Sequence, residues 1–72
     1  MALADDIETV RGHVRLGSRH IAQQRELIAE LERLELPIAK AIEFLQLLET
    51  LQELREVHLS RLLRKATENN AA

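Results

Sequence analysis

The chain of 72 residues has no cysteine, tryptophan or tyrosine, a single phenylalanine, one proline and two glycines. Each scarcity excludes something. Without cysteine there is no disulfide and no thiolate zinc site. A domain too short to bury much of its surface must then gain stability elsewhere, and self-association is the ordinary remaining route. With so little glycine and proline, a multi-stranded sheet has nothing from which to build its turns. No stretch approaches the roughly 18 uninterrupted apolar residues of a membrane span. The start, Met1-Ala2-Leu3-Ala4-Asp5-Asp6, lacks the positive beginning and apolar run of a signal peptide, so a cytoplasmic location is expected.

What is present is aliphatic and periodic. Hydrophobic residues make up 46% of the chain and are nearly all Leu, Ile, Val and Ala, the composition of helix packed on helix. Ile7, Val10, Val14, Gly17, Ile21, Gln24, Ile28 and Leu31 step by three and four without a slip, one face of an α-helix. A helix is predicted from about residue 5, with Asp5 and Glu8 as a variant capping box, to about residue 34. Gly12 and Gly17 stay inside it because the rhythm runs through both. Proline excludes helical backbone from the residue before it and is accepted at the first helical position, so the turn is placed at 35–37 and Pro37 opens the second helix. That helix is predicted to about residue 66, with 67–72 a frayed tail. The fold class is all-α, a single antiparallel two-helix hairpin, because so short a link makes the helices neighbours.

In the second helix the matching series is Ala41, Phe44, Leu48, Leu51, Arg55, His58 and Leu62, flanked by Leu45 and Leu59 on one side and Leu47 and Leu54 on the other. A stripe that wide exceeds what one neighbour covers, and points to a two-fold dimer closing a four-helix bundle. Folding at residue 36 sets Ile28 on Phe44, Ile21 on Leu51, Val10 on Leu62 and Leu31 on Ala41. The same alignment sets Gly17 against Arg55, Gln24 against Leu48 and Val14 against His58. Polar residues at such positions fix alignment and oligomeric state, and the space above Gly17 lets the arginine stem cross the seam. The interface and core residues are thus Val10, Val14, Gly17, Ile21, Gln24, Ile28, Leu31, Phe44, Leu48, Leu51, Arg55, His58 and Leu62.

The histidines are the only residues that suggest chemistry. His13 and His20 lie seven residues apart, roughly 10 Å along a helix, too far to share a metal ion. His13 with His58 lacks a third ligand, and no H-E-x-x-H pattern occurs. No phosphate loop, no nucleophile beside a base and no convergent carboxylate pair can be assembled, so neither an enzyme nor a cofactor or metal site is expected. Histidine titrates near neutrality, which leaves a pH-sensitive interface open.

Charge divides along the hairpin. Residues 21–53, the half nearest the turn, carry seven acids against three bases, a net of -4, and the two open-end segments carry seven bases against five acids, a net of +2. Arg19 can meet Glu53 and Arg25 can meet Glu49 within the hairpin, and an acidic turn end beside a basic open end favours a head-to-tail dimer. A basic end also raises nucleic acid as a partner, against which stand the missing aromatics, the acidic total and the lack of a helix-turn-helix or zinc-finger pattern. Membrane-surface binding wants aromatic anchors that the chain lacks.

His13, His20-Ile21, Gln24-Arg25, Leu27-Ile28 and Leu31, then Leu47-Leu48, His58-Leu59 and Arg61-Leu62, together resemble a group of short bacterial helical-hairpin proteins with no assigned activity. The likeness spans residues 7 to 63. It implies the hairpin fold and leaves the activity blank; such proteins often carry a glycine before the second helix, where Glu35 or Leu36 stands here. Small helical dimers of this size include antiactivators that sequester transcription factors, an analogy of fold alone. The reading is a non-enzymatic protein–protein interaction module, a homodimer that can also engage another protein in a regulatory role. The alternative is a small nucleic-acid-associated protein using the basic open end.

Overall fold

The computed structural model describes residues 2–71, with side chains described through Asn69. Two helices, α1 (Leu3–Arg33) and α2 (Ala39–Ala71), pack along their length as an antiparallel hairpin with no strand among the described residues. The molecule measures 58 × 17 × 14 Å, so it is scarcely thicker than one helix with its side chains, about 10–12 Å. Val10, Gly17 and Ile28 form the buried line of α1.

The boundaries differ from the sequence expectation at each end. Helix α1 begins at Leu3, ahead of Asp5. Ala2 is the extended N-cap residue without a side-chain cap, and its carbonyl accepts the Asp5 and Asp6 amides at 3.1 and 3.2 Å. The two carboxylates therefore sit in the first turn, where they complement the helix dipole without capping. Beginning early keeps Leu3 in phase with Ile7, and both are half-buried. At the far end α2 continues through residues 67–71, where a frayed tail was expected; Thr67 Oγ1 donates to the Leu63 carbonyl at 3.1 Å. Ala72 lies outside the described residues.

The turn accounts for the largest difference. The Leu34 amide donates to Glu30 at 3.0 Å, Glu35 to Glu32 at 3.0 Å and Leu36 to Leu31 at 2.9 Å, while Glu35 adopts φ 58°. This is a Schellman ending, with Glu35 at the left-handed position that glycine normally takes. Because the Leu36 amide is tied back onto α1, the chain crosses only afterwards. Pro37 consequently precedes the second helix, which Ile38 opens by accepting the Ile42 amide at 2.9 Å.

A longer link also rotates α2, since each residue turns a helix by about 100°. The face against α1 carries Leu45, Gln52 and Leu59 at intervals of seven, with Leu48, Arg55 and Leu62 beside them. Phe44, Leu51 and His58, expected on the seam, stand exposed. The stacks of Phe44 on Ile28 and Leu51 on Ile21 are thereby displaced to the flank. Glu53 turns away with them, so Arg19 forms no ion pair among the described residues. Glu49 turns in, and Arg25 Nη2 donates to its Oε2 at 3.1 Å as expected.

Left-handed backbone costs a non-glycine residue about 1–2 kcal/mol. Glu35→Gly should therefore raise the unfolding free energy by about 0.5–1 kcal/mol, after allowance for glycine's greater freedom in the unfolded chain. Urea titration followed by circular dichroism reads this directly, and a loss of stability would remove the Schellman assignment.

Candidate functional site

A polar clasp sits midway along the seam. Gln52 is 6% exposed, the most buried polar residue described. Its Nε2 donates to the Val14 carbonyl at 2.8 Å and to Ser18 Oγ at 3.0 Å. Its Oε1 is buried without a partner. The clasp exists because residue 17 has no side chain: a Cβ there would overlap Gln52 Oε1 and stand 2.9 Å from Cδ and 3.0 Å from Arg55 Nη1. The expected meeting of Gly17 with Arg55 is present, but the space it opens is filled chiefly by Gln52. Val14, expected opposite His58, gives its carbonyl to Gln52 instead.

A second polar bond lies nearer the turn, where Gln24 Nε2 donates to the Ala41 carbonyl at 2.9 Å. Gln24 was expected against Leu48, and reaches across the seam to backbone. Both bonds place a side-chain amide from one helix on a carbonyl of the other. They resist sliding and rotation, which purely aliphatic contacts do not. At the end of α1, Arg33 closes on Glu30 through Nε at 3.1 Å and again through Nη2. That hydrogen-bonded carboxylate holds the guanidinium above its ordinary value.

Of the residues proposed for the core or interface, Val10, Gly17 and Ile28 are buried, and Val14, Ile21, Gln24, Leu31, Leu48, Arg55 and Leu62 are half-buried. The remaining three, Phe44, Leu51 and His58, belong to the outer surface. There they join Leu47 and Leu54, so that α2 presents Phe44, Leu47, Leu51 and Leu54 at exposures of 50, 53, 38 and 63%. Leu16 and Leu27 on α1, and Leu34 just past its end, are also exposed. Comparison with protein-family models, curated proteins and solved structures finds no match. The reading of this chain therefore rests on its own geometry.

That geometry contains no reactive constellation among the described residues. His13, His20 and His58 are all exposed, and no group of three or more His, Cys, Asp or Glu side chains converges. A shallow depression on α2 is lined by Glu53, Glu56, Val57, Ser60, Arg61 and Arg64, mixing both signs of charge. No helix among the described residues is long and apolar enough to cross a membrane.

The two glycines should respond oppositely to alanine. Around Gly12 a methyl group would meet only Arg15 Nη2, at 3.9 Å, so Gly12→Ala should gain about 1 kcal/mol from helix propensity. Gly17→Ala expels the Gln52 amide from two hydrogen bonds, each worth about 0.5–1.5 kcal/mol, and adds repacking strain of about 1–3 kcal/mol. A net loss of about 1–5 kcal/mol is expected after the propensity gain of about 1 kcal/mol is subtracted. In a Gln52→Ala background the same change should become stabilising. Denaturation of the four variants closes a double-mutant cycle, and additivity within about 0.5 kcal/mol would dissolve the clasp.

Proposed function

We propose that the chain is a non-enzymatic protein–protein interaction module that self-associates as a dimer of hairpins. The observation that carries this reading is the exposed row Phe44, Leu47, Leu51 and Leu54, which repeats at three- and four-residue spacing on a helix whose opposite side is already occupied by α1. Such a row is a seam without a neighbour. Surface area supports the same reading. A folded monomer of 8.3 kDa is expected to expose roughly 4,600 Å², whereas the hairpin exposes 5666 Å². The excess, on the order of 1,000 Å², is comparable to the ~800 Å² that each partner buries in a standard interface.

The rival, a nucleic-acid-associated protein, draws on Arg61, Arg64 and Lys65 at the open end. Its support is thinner, because Glu53 and Glu56 line the same depression as the two arginines and phosphate binding requires a continuous positive track.

Sedimentation velocity at micromolar concentration should show a dimer. Leu47→Glu combined with Leu51→Glu should raise the dissociation constant by roughly 100-fold or more, since each buried leucine is worth roughly 1.5–3 kcal/mol. Gln46→Glu, on an exposed position outside the row, should leave it unchanged. A wild-type monomer would overturn the reading, and retardation of duplex DNA that falls steeply with salt would install the rival.

A further inference from the structure

Most of the large exposed apolar residues of both helices lie on one side of the hairpin, with Val57 on the other, and the ion pair shows which. Counting about 100° per residue, Leu16 and Leu27 precede the Gly17 line of α1 by about 80–100°, whereas Arg25 follows it by about 80°. In α2, Phe44, Leu47, Leu51 and Leu54 precede the Gln52 line by about 80–160°, whereas Glu49 follows it by about 60°. Arg25 and Glu49 are joined at 3.1 Å, so residues that follow the seam in the two antiparallel helices share a side. Those that precede it share the other. One side is therefore closed by the Arg25–Glu49 pair, and the opposite side carries the row of four large apolar side chains, with His58 beyond its end.

We propose that this aliphatic side is covered by a second copy of the chain running head to tail, with Phe44 on the partner's Leu54 and Leu47 on the partner's Leu51. The inference rests on the self-association reading above and specifies its geometry. Three observations carry it. The spacing of the row, three then four then three, reads the same in both directions, so reversing α2 about a point level with Glu49 lays all four side chains on one another with no polar residue in a layer. The unmatched area is of the size a stable interface needs. The charges decide the orientation. With both turns at one end, two acidic halves of net -4 would adjoin; reversed about residue 49, the turn bearing the exposed Glu32 and Glu35 comes level with the partner's Arg61, the partner's Arg64 and the partner's Lys65. Opposite charges at an interface rim set its orientation more than its strength.

A membrane surface is the poorer occupant, because Phe44 is the only phenylalanine, tyrosine or tryptophan in the chain and interfacial helices draw on such aromatic anchors.

The absence of native cysteine permits single spin labels at exposed positions outside the row. Thr50→Cys and Lys65→Cys, each labelled, are compared by dipolar electron paramagnetic resonance, with sedimentation confirming the dimer. Head-to-tail pairing about residue 49 puts the two labels at position 50 within about 20 Å. It separates those at position 65 by 32 residue rises, about 48 Å. Both distances together support the proposal. Labels at position 65 within about 25 Å would place both turns at one end and overturn it while leaving self-association intact. A dimer with any other distance at position 65 overturns this alignment, since each residue of shift in the two-fold changes it by about 3 Å. A monomer overturns the inference and the self-association reading together, leaving the aliphatic side to a different protein.

Discussion

Gln52 lies where a side chain at residue 17 would otherwise stand, held by the Val14 carbonyl and by Ser18 Oγ, and the rotation of α2 about its own axis depends on that contact. Leu, Ile and Val can slide over one another at little cost, so a two-helix seam built of them alone would tolerate several rotations. An amide that finds its acceptors only above a glycine tolerates one. Once α2 is fixed this way, Leu45 and Leu59 are drawn to α1. Phe44, Leu47, Leu51 and Leu54 are turned outward, and Glu49 is brought to Arg25. The aliphatic side of the hairpin is thus a consequence of the polar clasp.

The clasp is not an economical way to gain stability. Its Oε1 is buried without a partner, and an unsatisfied buried acceptor costs about 1–3 kcal/mol. Among the described residues the buried apolar side chains are Val10 and Ile28, and each keeps a little exposure. A leucine at position 52 would bury more hydrocarbon with no orphaned atom, but it would drop the restriction on rotation. Polar groups retained in helical seams at a cost in stability are known to specify alignment and oligomeric state, and here the alignment specified is the one that leaves a row of four large side chains in water. A hairpin whose interior is thin and whose exterior is apolar along one side does not have two independent problems: covering the exterior supplies the burial that the interior lacks.

Much of this was legible in the linear pattern, and the losses have physical reasons. The three-four rhythm of α1 is correct along its length because one buried line runs through Val10, Gly17 and Ile28. The Arg25–Glu49 pair and the nearness of Gly17 to Arg55 followed from antiparallel alignment alone. The turn was misplaced because proline and glycine carry the usual signals, whereas the left-handed residue is Glu35, which carries none. That error propagated. Starting α2 two residues early, at Pro37, left its phase undetermined. The series through Ala41, Phe44, Leu48, Leu51, Arg55, His58 and Leu62 then took the seam, with Leu45 and Leu59 set on its flank. Gln52, midway between those two leucines, was the informative residue. Gly17-Ser18 offers, at one level of α1, both the space and an acceptor that a long amide requires, and Gln52 stands seven residues from each of two leucines. Matching missing volume on one helix to surplus polar length on the other, before matching hydrophobic to hydrophobic, selects the rotation that the structure adopts.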